Sequence, residues 1–485
     1  MNEGGKKGMK IEQEILENTP ASSGKKKIDL GYDSQGIKKT MRFYHYLGDG
    51  AATVTLNSIN GLVGILTYFY TDKVGIAAAT VGTLMLVTRI LDAVADLVMG
   101  KIVDSTKSKY GKARPWMLWM AIPALVSIIL LFTVPAEASS TTKTIYALIT
   151  LIIATAIVYA AVAIPYNSLM AMRTKSSEER GKIGITRSIY GYIMGMIIAI
   201  GLIPITNMLG GDQSAWIKVA VVIGIISCIS LLVTFASSKE EAVEAIKGEV
   251  DDNVPFFESI KLLFKNKYWV MMLFAQLFIN MTYILSGSTG VYYTKYILGN
   301  ENLVGIMGAV GLIPVILGFA AVGPMIKKFG LAKTARIGIV LGIFASFIRC
   351  FMPYSFSAAL ILGGIGTFAT IPMMAVGGVL VNNTVEYGEW KFGKRLVGMV
   401  NSANSFGVRV GSGLAGALIG WILAFGNYDG TLETQPDSAI FSILVVTVYL
   451  PLILFVLTYL FLRKYDLDGK YPQIIKELEA RRNKK

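Results

Sequence analysis

Residues 89–116 read R-I-L-D-A-V-A-D-L-V-M-G-K-I-V-D-S-T-K-S-K-Y-G-K-A-R-P-W, and this stretch decides how the rest of the chain is read. The run from Val74 to Val103 is apolar enough for a helix in a bilayer, yet it carries Arg89, Asp92 and Asp96 near its middle. Residues three and four apart share one face of a helix, so these charges form a stripe. An ionised group in hydrocarbon costs at least about 2.5 kcal/mol, so the stripe is expected to face a bundle interior or a water-filled cavity. Two carboxylates one turn apart, with an arginine one turn before them, can hold a small cation or a proton. A structural ion pair accounts for Arg89 and one aspartate and leaves the second carboxylate unneutralised.

Composition places that helix in a polytopic membrane protein, because 53% of the 485 residues are hydrophobic and only 16% are charged. The net charge of +14 is spread over short loops and two tails without a basic domain, which argues against nucleic acid and for topology. Cys228 and Cys350 lie in apolar runs of different halves, so neither a disulfide framework nor a metal site is indicated. A single histidine, His45, excludes a multi-histidine centre. The first forty residues are lysine-rich and lack a signal-peptide core, and they read as a cytoplasmic tail.

Outward from the opening stretch, apolar runs long enough to span fall at 44–70, 76–103, 115–135, 144–172, 183–209 and 215–237, then 269–297, 302–326, 335–353, 357–384, 396–426 and 438–462. The expected organisation is a tail (1–40), a six-helix half (41–237), a charged central loop (238–268), a second six-helix half (269–465) and a tail (466–485). Lys107, Lys109, Lys112 and Arg114 follow the second span, and Arg173, Lys175, Arg180 and Lys182 follow the fourth. Similar clusters follow the eighth and tenth spans, whereas the opposite loops carry single lysines or none, so both termini are expected on the cytoplasmic side. Gly100, Asp104 and the basic loop after them are echoed by Gly323 and P-M-I-K-K-F-G in the second half. An all-α membrane protein of two six-helix halves around a central cavity is the plan of alternating-access transporters.

These residues also carry a family resemblance. Y-F-Y-T-D (68–72), R-I-L-D-A-V-A-D-L-V-M-G (89–100), G-K-A-R-P-W (111–116), I-P-Y-N-S-L (164–169) and V-E-Y-G-E-W-K (385–391) together resemble the glycoside–pentoside–hexuronide:cation symporters of the major facilitator superfamily, over about residues 41–465. The resemblance implies a cell-membrane symporter importing a sugar or glycoside with Na⁺, Li⁺ or H⁺, without a bound cofactor. It implies that Asp92 and Asp96 bind the cation, that Arg89 is their charge partner, and that Arg409 stands where a family lysine meets the same carboxylates. Arg187 matches an arginine bordering the sugar cavity. The fourth span departs from the pattern, with Ala163 and Asn167 at sugar-gripping positions and Ala160 near a cation-ligand position, so an α-galactoside specificity does not carry over.

Sugar hydroxyls need paired donors and acceptors and an aromatic face. The candidates are Tyr46, Asp49, Asn57, Tyr166, Asn167, Arg187, Asn280, Tyr283 and Asn404. Asp104, Lys112, Arg114, Glu386 and Glu389 are the candidates for inner-gate salt bridges. The partners expected are therefore a small sugar or glycoside and the lipid bilayer, with a monomer as the simplest assembly. A rival of the same architecture would carry an organic anion on Arg187 and Arg409. An enzyme is not expected, since the chain holds no H-E-x-x-H, nucleophile elbow or phosphate loop.

Overall fold

The computed structural model describes Gly31 and residues 39–174, 176–238 and 255–482. Most of the first tail and of the central loop therefore lies outside the described residues. Among those described, nine helices are long and apolar enough to cross a membrane. The first three expected spans are helical as well, which gives the twelve spans of a major facilitator fold.

The first span, Phe43–Tyr68, continues as a π-helical turn, Phe69–Lys73. The second is Ala78–Ser105. The third is interrupted at Met120, as Arg114–Trp119 and Ala121–Leu130. The fourth runs as Ser140–Ile152, a π-helical segment Ile153–Tyr159 and Ala160–Arg173. The fifth and sixth are Ser177–Met208 and Gln213–Ser237. The second half comprises Lys267–Tyr296, Leu303–Phe329, Leu331–Cys350, Phe356–Phe392 and Val397–Phe425. Its last span is Asp437–Leu462, with a π-helical turn at Val445–Tyr449.

Local chemistry explains where several spans begin. Ser139, Ser176, Asp212, Asn266 and Ser355 each accept a bond from the backbone N–H three residues on, satisfying a donor the helix leaves orphaned. Span five therefore starts at Ser177, six residues ahead of where apolarity alone puts it. Span ten runs on to Phe392, past the apolar stretch, and stops where Gly393 takes φ of 69°. Two short helices flank the second half, Phe256–Lys265 before it and Leu467–Arg482 after it. The latter docks on span ten, where Trp390 donates to Glu477 at 2.6 Å.

The halves meet along two antiparallel pairs of spans. Spans two and eleven pack so closely that a Cβ on Gly82 would lie 2.8 Å from the Ala417 carbonyl. Spans five and eight do the same where a Cβ on Gly305 would lie 2.6 Å from the Ile200 carbonyl. Only glycine permits this approach, and close backbone contact replaces the missing hydrophobic drive between helices in lipid.

The buried core is not distributed evenly. At the end away from the termini, Tyr68, Phe69 and Trp216 of the first half and Tyr292 and Tyr428 of the second belong to one continuous apolar cluster. At the end bearing the termini, the halves keep separate clusters, around Met99 and Met41 in the first and around Trp269 and Tyr465 in the second. The halves are thus sealed at one end and parted at the other.

Candidate functional site

The second span carries its charges at mid-depth. Asp92 lies fourteen residues from Ala78 and thirteen from Ser105, so about 20 Å from either end at 1.5 Å per residue. Asp92 is 1% exposed, and one of its oxygens, Oδ2, accepts from Arg89 at 3.0 Å. Asp96 is paired through Oδ2 with Arg409 of span eleven, an ion pair that crosses from one half to the other. The remaining oxygen of each aspartate, Oδ1, is buried without a hydrogen-bond partner. Two carboxylates and two guanidiniums leave the group neutral, with two buried oxygens facing no donor. Span four brings an apolar wall to the same region, where Ala160 and Ala161 pack with Met99, Val103 and Ala95.

Asp49, Tyr166 and Arg187 are also brought together, as one sealed assembly. The Asp49 carboxylate is fully buried and accepts from Arg173 at 2.7 Å and from Arg187 Nε at 2.7 Å and Nη2 at 3.2 Å. Arg187 lies over the Tyr166 ring at 3.6 Å from its centroid, and the Tyr166 hydroxyl donates to the Asp49 carbonyl at 2.7 Å. This cluster ties together the termini-side ends of spans one, four and five. Beside it, Glu179 accepts from the Thr40 and Met41 amides and from the hydroxyls of Tyr46 and Thr174. Arg173 and Glu179 were not among the sequence candidates, because both fall between the apolar runs 144–172 and 183–209, where charges read only as topology.

Neutral polar groups lie nearby on spans one, four and five. Along span one, Thr55 and Gly48 pack on span six through Ser230 and Ser237. At 100° per residue, Thr53, Asn57 and Asn60 lie on the opposite face, where a Cβ on Gly191 of span five would lie 3.0 Å from the Asn57 amide nitrogen. The Asn57 amide donates to the Thr53 carbonyl at 3.0 Å. The exposed Asn60 amide donates to the Tyr159 hydroxyl at 3.1 Å, linking span one to the π-helical segment of span four. Asn167, on the same span, is exposed. Tyr192 of span five meets Phe319 of span eight across the halves, with ring centroids 5.9 Å apart. Asn60, Tyr159 and Tyr192 were missed in the sequence, where single amides and phenols in apolar helices carry no distinguishing pattern.

The other candidates lie elsewhere. Asn280 accepts from Ser412 at 2.8 Å, a link between spans seven and eleven. Asn404 is five residues from Arg409 and so turned about 140° from the face that meets span two. That turn puts it on the side where Gly407 and Gly411 pack against Leu273 and Leu277 of span seven. Its Oδ1 is buried there without a partner. Of the gate candidates, Arg114 donates to the Phe235 carbonyl at 2.9 Å within the first half. Glu386 and Glu389 lie 3.9 Å and 2.9 Å from the same Arg395 within the second. Lys112 sits in the loop between spans two and three; Asp104 is on the last turn of span two, and its side chain lies outside the described residues.

Comparison with known proteins agrees with this architecture. The family described as MFS/sugar transport protein matches residues 48–469. An isoprimeverose transporter from Lactiplantibacillus pentosus is 32% identical, over 91% of this chain and 91% of that one. A glucuronide carrier protein homolog from Escherichia coli (strain K12) is 26% identical, over 87% and 92%. Among solved structures, a bacterial homolog of the human lysosomal transporter Spinster superposes with a TM-score of 0.63 at 14% identity, covering 88% of this chain and 98% of that one. At that identity the likeness concerns the fold.

Proposed function

The chain belongs to the MFS/sugar transport protein family, the glycoside–pentoside–hexuronide:cation symporters, and on that premise we propose that it imports a neutral glycoside together with a proton. The termini are assigned to the cytoplasmic side by the lysine and arginine clusters of the loops on that side. The structure then stands open to the cytoplasm and sealed toward the outside.

One observation carries the substrate reading. The charged side chains at the site are spent on one another, Asp49 with Arg173 and Arg187, Asp92 with Arg89, and Asp96 with Arg409. The groups offered to a ligand are amides and phenols. In the Asn60–Tyr159 pair the phenol accepts from the amide, so it keeps its own proton to donate while the amide oxygen can accept. A donor and an acceptor side by side suit the vicinal hydroxyls of a sugar. An organic anion would need Arg187 or Arg409, and each would first have to abandon a carboxylate. The names of the relatives, an isoprimeverose transporter and a glucuronide carrier homolog, are consistent with a glycoside, and the charge pairing favours the neutral kind.

The two unpartnered oxygens support a proton as the coupling ion. A proton needs one oxygen, whereas a desolvated metal cation needs several, and the alanine wall of span four adds none. In this mechanism a proton entering from outside neutralises one aspartate and the glycoside binds beside it. Protonation takes the group from neutral to +1 and ends one carboxylate–guanidinium pair, which is the change the closing cavity responds to. Coupling is reciprocal, so the glycoside tightens proton binding by the same factor.

The test is uptake by proteoliposomes of a labelled panel including isoprimeverose, xylosides, galactosides and glucuronides under imposed proton, sodium or lithium gradients. Accumulation of a neutral glycoside under a proton gradient is expected. Accumulation driven by sodium or lithium alone would overturn the choice of ion. Selective uptake of the glucuronide would overturn neutrality.

A further inference from the structure

Asp72 closes span one on its π-helical turn and draws together three side chains from two segments of the opposite half. Its side chain is fully buried in the sealed end of the molecule. Oδ1 accepts from Lys295 Nζ and from the Tyr296 hydroxyl, each at 2.7 Å, both on the last turn of span seven. Oδ2 accepts from the Tyr428 hydroxyl at 2.6 Å, from the loop between spans eleven and twelve, and from the neighbouring Thr71 at 2.7 Å. The surroundings extend the same pattern. Thr71 and Tyr292 share a hydrogen bond of 2.9 Å, and the Tyr68 hydroxyl donates to Glu301 at 2.5 Å. The Tyr428 loop sits so near that a Cβ on Gly430 would lie 2.5 Å from the Thr71 carbonyl.

Every donor to this carboxylate except Thr71 comes from the second half. A carboxylate with four donors, one of them a neutralising ammonium, is stable in apolar surroundings only while they stay in place; removing one partner of such a pair exposes the full desolvation penalty of the other. The π-helical turn supplies the geometry, since one extra residue per turn shifts the phase that brings Asp72 inward, and such turns recur at functional positions. The two glycine-lined seams contribute close packing that can slide; Asp72 contributes a charge that is either paired or not. That makes a two-state element of the kind alternating access requires.

We propose that Asp72, with Lys295, Tyr296 and Tyr428, is the outer gate of the transport cycle, formed while the cavity faces the cytoplasm and broken when it faces outward. This inference rests on the transporter reading and the orientation given above, but not on the identity of the glycoside or of the ion. Asp72 acts as a positioning residue, through the halves it holds together.

The experiment places a reporter cysteine at Asn60→Cys in a chain whose Cys228 and Cys350 are replaced by serine. Labelling by a membrane-impermeant maleimide is then compared in right-side-out and inside-out vesicles. With the gate intact, labelling is expected from the cytoplasmic side. Asp72→Asn, and separately Tyr428→Phe, should raise the rate from the outer side about tenfold or more for the first and less for the second. Cytoplasmic-side labelling should persist, which shows that the variants fold. The exchange Asp72→Lys with Lys295→Asp should restore closure in part, a result that mere loss of packing would not give. Unchanged outer labelling in Asp72→Asn, with labelling from the cytoplasmic side retained, overturns the gate. Labelling of the unmodified chain from the outside alone would overturn the orientation instead, and Asp72→Asn would then be read from the opposite side.

Discussion

Replacing Asp92 by asparagine separates ion binding from sugar binding. With Asp92, Asp96, Arg89 and Arg409 all charged the group is neutral, and a bound cation or proton brings it to +1. Asp92→Asn removes one negative charge and leaves the group at +1 before any ion arrives. Adding a second positive charge about 4 Å away in a partly buried site costs about 4 kcal/mol at an effective dielectric constant of 20. That is about three decades of ion affinity. The asparagine nevertheless imitates the protonated aspartate in shape, so the glycoside should still bind, with an affinity that no longer depends on pH or salt. The driving force is lost with the ion. One proton moving down one pH unit and 100 mV supplies about 3.7 kcal/mol, enough for roughly 400-fold accumulation. Asp92→Asn should accumulate nothing against a gradient while still exchanging labelled for unlabelled glycoside across proteoliposome membranes. Gradient-driven accumulation by that variant, or glycoside affinity that remains ion-dependent, would refute the assignment.

Other outcomes follow from the same geometry. Asn60→Ala or Tyr159→Phe should weaken glycoside binding by about three- to tenfold, the worth of one hydrogen bond, and leave thermal stability nearly unchanged, as calorimetry and thermal melting would show. Asp49→Asn should do the reverse: it strands two buried guanidiniums, so it should cost about 3–5 kcal/mol of stability. A drop in melting temperature larger than for Asn60→Ala checks this. Gly82→Val would drive a methyl into the Ala417 carbonyl and pry span two from span eleven, so transport should be abolished and cross-linking between the two spans reduced. At the start of span six, the Ala215 N–H holds the Asp212 carboxyl below the usual aspartate range. A depressed carboxylate stabilises above its unfolded value and loses that stabilisation as pH falls through its folded one. Amide exchange in the first turn, corrected for intrinsic rate, should therefore be flat from pH 8 to about 4 and rise only below.

The spans were legible because a bilayer demands about twenty apolar residues at a time, and little else in the chain competes with that signal. Their ends were less so, because a cap such as Ser176 starts a helix in polar sequence that hydropathy assigns to a loop. Asp92 and Asp96 stood out in the sequence, since charge inside an apolar helix is rare. Asp49 was picked out as a candidate for sugar hydroxyls, but its partners were not: Arg173 looked like one more basic loop residue until the fold turned it onto the carboxylate. Asn404 shows what periodicity alone could have added, for its five-residue offset from Arg409 already puts the two on different faces. Asp72 was visible only as part of Y-T-D, because a carboxylate at the end of a span is unremarkable until its donors arrive from more than two hundred residues away.

The two aspartates of the central site are not equivalent, and their difference assigns them separate tasks. Asp92 bonds within its own helix, so a proton on it changes the charge of the site without releasing any contact between halves. Asp96 bonds to Arg409 across the halves, and a proton on it would dissolve that contact. Arg409 cannot assist by giving up its own proton, because a guanidinium stays charged under any physiological condition. Of the ion pairs at the site, the one between Asp96 and Arg409 is therefore the one whose release frees span eleven from span two. In the proposed mechanism Asp92 would receive the ion and Asp96 would pass its arrival on to the conformation. Asp96→Asn should then keep ion-dependent glycoside affinity, though weaker, while the two halves lose their coordinated response. In single-molecule distance measurements between spans two and eleven, the ion should shift the population in the unmodified chain and leave it unshifted in Asp96→Asn. An ion-induced shift of the same size in both proteins would show that the cross-half pair takes no part in coupling.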